Sequence, residues 1–308
     1  MPISFSVIVP LYNKQAYIER ALNSVYAQTH APKELIIVND VCTDDSILVA
    51  QKSLARLKQR RPEIHVTILH NKENKGPGAA RNYGLQIATS EYVLFLDADD
   101  EYQPRLLEKI QRLVKDERAD MIIFGYRRLP DNRVLPSPTI TAPGWLTPHD
   151  HETYRLNDPL SIVYDRRYPL GPGSNVAIKR TATHGLRYDE TAKVYEGIDF
   201  WFRVMQKIVN VDGNVFYLVG EYHVVHSVPE SLIRKKLAIT DIEYPRVLKR
   251  YAFSDDRYEK ALRIRVAKMW FGNSYSRLNK VIDKLLFIWR CRNLAKTIIQ
   301  SNQFPGSQ

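Results

Sequence analysis

The N-terminal third of the chain alternates between short apolar runs and amphipathic segments, and this alternation constrains the fold more than any other feature. In chain order, β-rich runs and segments with helical spacing follow one another at residues 3–12, 16–28, 33–40, 43–60, 63–71, 76–88 and 91–100. Strands that are almost entirely apolar are typically buried on both faces. The sequence therefore predicts an α/β fold, with a mostly parallel sheet between two layers of helices.

Acidic residues follow two of the predicted strands. Asp40 ends the second strand, and Asp97, Asp99, Asp100 and Glu101 crowd the end of the fourth. Ligands of open α/β sheets bind beyond the carboxyl ends of the strands. We therefore expect Asp40 and the acidic cluster to face one crevice.

The two carboxylates on either side of Ala98 repel each other, and a divalent cation would relieve that repulsion. Hard oxygen ligands suit Mg²⁺ or Mn²⁺, which usually share their coordination with substrate phosphates. The alternative is that terminal acids only stabilise the start of a following helix. We prefer this second interpretation for Glu101, and the metal interpretation for Asp97 and Asp99.

The distribution of charge divides the chain in two. The net charge of +11 lies entirely in residues 231–308, which carry 17 Lys and Arg against 6 Asp and Glu. We therefore predict an α/β domain over residues 1–228 and a basic, α-helical C-terminal region over residues 229–308.

The last predicted helix, residues 277–299, combines an apolar stripe with a series of cations. The apolar stripe consists of Leu278, Val281, Ile282, Leu285, Ile288 and Trp289. The cations are Lys280, Lys284, Arg290, Arg292 and Lys296. Such a helix can pack on the α/β domain, form a homodimer or lie on an anionic membrane surface, and the sequence leaves these alternatives open. The basic charge has no nucleic-acid recognition motif, so we expect no nucleic-acid partner.

The apolar runs, the N-terminal residues and the cysteines together predict that the protein is cytoplasmic. No apolar run reaches the roughly 18 residues of a membrane-spanning helix, and the N-terminus has no signal-peptide pattern. The two cysteines, Cys42 and Cys291, fit no metal-binding spacing. We also interpret Thr147 to His151 as the start of a helix rather than as a histidine metal site.

The order of the motifs resembles that of the family 2 glycosyltransferases of the GT-A fold. The resemblance rests on "SVIVPLYNKQAYIERALNSVYAQT", "ELIIVNDVCTDDS" and "NKGPGAARNYGLQIATSEYVLFLDADDEY". It is continuous over about residues 4–115 and looser to about 230. It implies a catalytic domain over residues 1–228, with a donor half at about 1–115 and an acceptor half at about 116–228.

The resemblance implies a nucleotide-sugar donor, most simply a UDP-sugar. Asp40 matches the carboxylate that binds the nucleotide base, and Tyr12 and Pro10 match the rim beside it. Arg81 matches an arginine near the donor. The motif Asp97-Ala98-Asp99 matches the DxD that holds Mn²⁺ or Mg²⁺ on the diphosphate. His226-Ser227 loosely matches the histidine or arginine at the end of the family's catalytic domain, which would complete the metal shell or hold the diphosphate, and a structural histidine is the alternative.

The catalytic base is placed in "KVYEGIDFWFRVMQK", residues 193–207, by the same resemblance. The family usually has an aspartate directly after the glutamate, and Gly197 stands there in this chain. Glu196 and Asp199 therefore remain as candidates, because a residue three positions on lies on roughly the same side of a helix. A purely capping role is the alternative for either residue.

We thus predict an inverting, metal-dependent glycosyltransferase. It would transfer a sugar to a hydroxyl of a free or lipid-linked glycan, in bacterial surface polysaccharide or lipopolysaccharide synthesis at the cytoplasmic face of the membrane. Two alternatives stay open. A nucleotidyltransferase would need a glycine-rich loop after the first strand, where "PLYNKQAY" has no glycine. A sugar-nucleotide-binding or scaffold protein without a base is kept in view by Gly197.

Overall fold

A computed structural model describes residues 3–137, 142–170, 174–192, 194–227, 240, 242–278 and 280–294. The elements of the first part are β1 (Phe5–Leu11), α1 (Ile18–Tyr26), β2 (Glu34–Asn39), α2 (Ser46–Arg60), β3 (His65–His70), α3 (Pro77–Ile87), β4 (Tyr92–Phe95), β5 (Glu101–Tyr102) and α4 (Leu106–Glu117). The predicted alternation of strands and helices in this part is confirmed.

The second part adds further strands and the C-terminal helices. They are β6 (Met121–Leu129), β7 (Arg133–Leu135), β8 (Leu146–Pro148), β9 (Thr153–Leu156), β10 (Val176–Lys179), α5 (Glu196–Val209), β11 (Val215–His226), α6 (Arg246–Arg250), α7 (Arg257–Arg277) and α8 (Val281–Arg290). Short 3₁₀ helices cover Pro159–Tyr164 and Arg180–Thr183.

One mixed sheet runs through the molecule in the order β3-β2-β1-β4-β10-β6-β11-β9-β8. Strands β3, β2, β1 and β4 are all parallel, and Ile8 in β1 pairs with Ile36 and Phe95 on its two sides. Strand β10 is antiparallel to both of its neighbours. The parallel sheet predicted for the first part of the chain is confirmed, and the later strands join it through β10.

Alternate residues of β1 point to opposite faces of the sheet, and each face has its own core. Val7 and Val9 pack with the α1, α2 and α4 side, whereas Ile8 packs with the side that includes α3 and α5. Each buried aliphatic side chain contributes about 1.5–3 kcal/mol. The edge strand β3 differs, since its ends are exposed and its middle is only partly buried.

Helix α3 lies unusually close to the sheet. A Cβ on Gly84 would come within 2.4 Å of Ile8 Cγ2, so only glycine allows this approach. The helix begins at Pro77, as expected for proline in a first turn, and Gly76 precedes it with a φ of 83°. This close packing fixes the helix against the middle of β1.

The segment around Pro148 forms a hairpin, so the helix predicted there is wrong. Strand β8 pairs with β9, and Asp150 Oδ1 accepts the backbone N–H groups of Glu152 and Thr153. The aspartate therefore shapes a turn instead of the start of a helix.

The helical C-terminal extension is confirmed in its described part, and it packs on the α/β part of the molecule. Arg265 of α7 is buried and donates hydrogen bonds to the carbonyls of Ile162, Asp165 and Tyr168. The predicted segments 228–239 and 295–299 lie outside the described residues. Within the described residues, no helix is both long and apolar enough to cross a membrane.

Candidate active site

The parallel strands bring the predicted donor residues to one edge of the sheet. Because β1 is parallel to both β2 and β4, its C-terminal end lies beside theirs. Tyr12 follows β1 directly and is 46% exposed, while Pro10 pairs with Val38 near the strand end. Asp40 donates its backbone N–H to Leu11 O at 2.9 Å.

The Asp40 carboxylate organises the loop that leads into α3. Its Oδ1 accepts from Asn71 Nδ2 at 2.7 Å and from the Lys75 N–H at 3.1 Å, and its Oδ2 accepts the Gly76 N–H at 2.8 Å. The residue is 3% exposed. Since each carboxylate oxygen has two acceptor sites, Oδ2 retains capacity for one further donor.

Arg81 of α3 joins the acidic cluster to the start of α5. Its Nη2 donates to Asp97 Oδ1 at 2.8 Å, and its Nη1 donates to Glu196 Oε1 at 3.1 Å. The guanidinium is buried over the ring of Tyr188, 5.4 Å from the ring centroid. Burial on its own would raise the pKa of Asp97, but the charge and hydrogen bond of Arg81, together with His223 and Ser174, outweigh it and hold that pKa below its usual range.

The two candidate bases occupy different environments. Glu196 is the first residue of α5, and its side chain lies beside the first turn of α3, where a Cβ on Gly78 would be 3.5 Å from Glu196 Cγ. Asp199 is 3% exposed, and its Oδ2 accepts from Arg203 Nε at 3.1 Å and from Arg250 Nη1 at 2.9 Å. Burial raises the pKa of Asp199, although both arginines oppose that shift. Glu196 alone shares a partner with the acidic cluster.

Asp99 is paired with a cation from the loop after β1. The Lys14 ammonium lies 2.6 Å from Asp99 Oδ2, and both side chains are mostly buried. The Lys14 backbone N–H donates to Ser46 Oγ at 2.7 Å, and Arg20 Nη2 donates to the carbonyl of Asp99 at 2.8 Å. Sequence reasoning assigned neither Lys14 nor Arg20 to the site. The position of Lys14 just after β1 was the available signal.

The predicted metal ligands are not gathered into one three-residue site. Within the described residues, no group of three His, Cys, Asp or Glu side chains is placed to hold a metal ion. His226 Nε2 lies 2.7 Å from Glu101 Oε1, so this nitrogen already has a partner. Asp97 and Asp99 still suit an ion that completes its coordination with phosphate oxygens and water, because both are hard carboxylate ligands at the same edge.

The other two acids of the cluster hold β11 against the end of β4. Asp100 is buried, accepts the His226 backbone N–H at 2.9 Å and lies 3.0 Å from Nε2 of the fully buried His223. Burial raises the pKa of Asp100, although His223 opposes the shift. Glu101 begins β5 and pairs with Arg20 Nε at 3.1 Å, so the capping role predicted for Glu101 is wrong.

Comparison with known proteins agrees with this geometry. The family model "Glycosyl transferase family 2" matches residues 6–183. The putative teichuronic acid biosynthesis glycosyltransferase TuaG of Bacillus subtilis is 34% identical over 161 residues, which are 52% of this chain and 62% of that protein. The uncharacterized glycosyltransferase YibD of Escherichia coli K12 is 32% identical over 152 residues, 46% of this chain and 42% of that protein. The chain thus spans about half the length of these relatives.

Solved structures with low sequence identity share the fold. Staphylococcus aureus TarS 1-349 in complex with UDP-GlcNAc has a TM-score of 0.66 and 19% identity, covering 96% of this chain and 82% of that one. The mannosyltransferase PcManGT from Pyrobaculum calidifontis, in complex with GDP-Man and Mn²⁺, has a TM-score of 0.55 and 15% identity, covering 98% and 80%. The GT-A-like fold predicted from the motifs is confirmed.

Proposed function

The chain belongs to glycosyl transferase family 2, and we propose that it transfers a sugar from a nucleotide-sugar donor to a glycan hydroxyl with inversion at the anomeric carbon. The observation that carries this proposal is the Arg81 bridge. One guanidinium holds Asp97 of the donor motif and Glu196 of the acceptor half in hydrogen-bond contact. Donor and base are thereby fixed relative to each other, and transfer by direct displacement requires this arrangement.

The donor lies across the carboxyl ends of β1, β2 and β4 in this proposal. Tyr12 and Pro10 flank the flat nucleotide base, and the free acceptor capacity of Asp40 Oδ2 receives a base N–H. A uracil base, with one N–H between two carbonyls, suits a single buried carboxylate. UDP-sugars are therefore the proposed donor class, in line with the TarS neighbour that was solved with UDP-GlcNAc.

The diphosphate lies beside Asp97, Ala98 and Asp99. These two carboxylates would hold Mn²⁺ or Mg²⁺, and the bound ion would neutralise charge on the leaving diphosphate. Lys14, now paired with Asp99 Oδ2, adds a cation of the chain itself to the same edge.

Glu196 is the proposed general base. The acceptor oxygen attacks the anomeric carbon, the bond from that carbon to the diphosphate oxygen breaks, and the hydroxyl proton passes to a Glu196 oxygen. Arg81 occupies Oε1 and so orients the carboxylate. Asp199 is less suited to the role, since its Oδ2 is engaged by two arginines in a buried position.

The acceptor is proposed to be a free or lipid-linked glycan of bacterial surface polysaccharide, lipopolysaccharide included, elongated at the cytoplasmic face of the membrane. Support comes from the printed name of TuaG, which refers to teichuronic acid biosynthesis.

Calorimetric titration of UDP, GDP and CDP, with and without Mn²⁺, tests the donor site. We expect tight, metal-dependent binding of one nucleotide, and a loss of at least tenfold in affinity in Asp99→Ala. Asp116→Ala, an exposed aspartate of α4, serves as the matched control and should bind as the wild type does. Absence of binding with every nucleotide and metal would refute the proposal.

A protein that binds the donor without transferring it is the second candidate, because Gly197 stands where the family usually has an aspartate. The two functions differ in turnover. Slow hydrolysis of the sugar donor by the wild type, abolished in Glu196→Gln with unchanged UDP affinity, would support the enzyme. Binding with neither hydrolysis nor transfer to any glycan acceptor would support the second candidate.

A further inference from the structure

Helix α8 presents a wide apolar face to solvent. The face consists of side chains that are 41–73% exposed, namely Val281, Ile282, Leu285, Leu286, Ile288 and Trp289. At 100° per residue these positions cover about 160° of the helix circumference. Contiguous apolar surface of this kind is rare on soluble monomers and marks a contact site.

The opposite side of α8 is anchored. Phe287 is buried, and its ring lies 5.5 Å from that of Trp270 and 5.2 Å from that of Phe271, both in α7. The helix therefore has a fixed orientation, with one side on the protein and the apolar face turned away from the contacts that hold it.

Cations surround the apolar face. Lys284 lies 5.2 Å from the ring centroid of Tyr275, and Arg292 lies over the ring of the exposed Trp289 at 5.1 Å. Arg290 ends the helix. After Asp283 the sequence contains no further acidic residue. An apolar face with a tryptophan and basic neighbours complements an anionic lipid surface, which attracts nearby Lys and Arg side chains.

The length of α8 decides how it would meet a bilayer. Ten residues extend about 15 Å along a helix axis, half of the roughly 30 Å hydrocarbon core. The helix is thus too short to span and suits a position parallel to the surface, with its apolar side chains among the acyl chains.

We propose that α8 docks the protein peripherally on an anionic membrane surface. The link to the acceptor side supports this orientation. Asn273 of α7 donates to Tyr195 Oη at 3.1 Å, and Tyr195 immediately precedes Glu196. Helix α7 thus contacts both α8 and the residue before Glu196. Taken with the proposed function, peripheral docking through α8 suits an acceptor that is lipid-linked.

Vesicle co-sedimentation of the full chain tests the docking. We expect binding to vesicles that contain phosphatidylglycerol, weak binding to pure phosphatidylcholine, and release from the anionic vesicles by high salt. The wild-type protein is tested with both vesicle types. Equal binding to both vesicle types, or none to either, would overturn the proposal.

A pair of variants then locates the contact. Ile282→Glu with Leu285→Glu changes two exposed side chains and should reduce vesicle binding at least tenfold. Phe253→Glu is the control, since Phe253 is 98% exposed and lies outside α8. It should bind vesicles as the wild type does. Unchanged binding in the double variant would refute the assignment to α8.

Two further measurements distinguish membrane docking from dimerisation and from a failure of the proposed function. If light scattering shows a dimer that the double variant converts to a monomer, the apolar face serves a second copy and the membrane assignment is wrong. Titration of UDP into the double variant should match the wild type. If neither the wild type nor the double variant binds UDP, while the wild type still binds anionic vesicles, the proposed function is contradicted and the membrane assignment stands.

Discussion

At the residue scale, the site depends on one buried arginine between two carboxylates. Arg81 contacts Asp97 and Glu196, which are 16 and 115 positions away along the chain. Removing one partner from a buried ion pair leaves uncompensated charge, which costs about 3–5 kcal/mol. The same contact therefore contributes to stability and to the geometry of the site.

Replacement of Arg81 by methionine should lower the free energy of unfolding by about 3 kcal/mol at neutral pH. The loss should shrink in acid. Arg81 holds the pKa of Asp97 low, so the pairing stabilises the fold above the unfolded value of about 3.9 and is lost as pH falls through the folded pKa. Urea unfolding at pH 7 and at about pH 2.5, below the unfolded value, measures this. Arg56→Met, at an exposed ion pair with Glu19, is the control. A loss that is equal at both pH values would contradict the prediction.

Replacement of Lys14 by methionine should free Asp99 for the metal ion. The exposed fractions are 20% for Lys14 and 17% for Asp99, so the pair is worth about 1 kcal/mol. We expect the Mn²⁺ concentration for half-maximal UDP binding to fall about threefold to fivefold. Lys72→Met, on the loop before α3, should leave it unchanged. The same midpoint in wild type and Lys14→Met would show that lysine and metal do not compete.

At the element scale, the approach of α3 to β1 positions Arg81. The approach depends on Gly84, where a Cβ would meet Ile8 Cγ2 at 2.4 Å. Helix propensity alone would favour alanine at this position by about 1 kcal/mol. Packing against the sheet therefore overrides the local preference of the helix.

Gly84→Ala should lower the free energy of unfolding by about 1–3 kcal/mol, because overpacking displaces α3 from the sheet. Gly272→Ala is a matched control in α7, where a Cβ would meet no atom of the described residues within 4 Å. That control should be neutral or stabilising by up to about 1 kcal/mol. Thermal unfolding of both variants gives the comparison, and the same sign for both would contradict the packing argument.

At the scale of the whole molecule, the described C-terminal helices are part of the same core as the α/β sheet. Leu262, Val266 and Trp270 of α7 are buried in the core that also contains Trp201 of α5. Arg250 of α6 reaches Asp199, and Arg265 of α7 holds the carbonyls of residues 162–168. The charge boundary seen near residue 230 is therefore not a boundary in packing.

Arg265→Met should destabilise the whole molecule by about 3 kcal/mol, because three buried carbonyls lose their donor. Unfolding should remain one transition when it is followed by tryptophan fluorescence and by circular dichroism. Arg257→Met changes an exposed arginine of the same helix and should cost less than about 0.5 kcal/mol. Two separate transitions in the wild type would show that α7 unfolds independently of the sheet.

The sequence by itself determined the alternation of β1 to β4 with α1 to α3, and the edge of the sheet where the site lies. Period and apolar content are local properties, and parallel strands necessarily bring Tyr12, Asp40 and Asp97 to the same edge. The hairpin at β8 and β9 was missed, because a proline after a threonine is as compatible with a turn as with the start of a helix.

Only the tertiary structure decided which charged groups face each other. The sequence left Glu196 and Asp199 as candidate bases, with Glu196 preferred because Gly197 follows it, and it pointed to His226 for the metal. In the structure, Glu196 pairs with Arg81, Asp199 pairs with Arg203 and Arg250, and His226 pairs with Glu101. Asp199 and Arg203 lie four positions apart on one helix, but the other pairings depend on distances between segments up to 125 positions apart. No local pattern encodes these, because charge attracts any opposite charge that the packed backbone brings near.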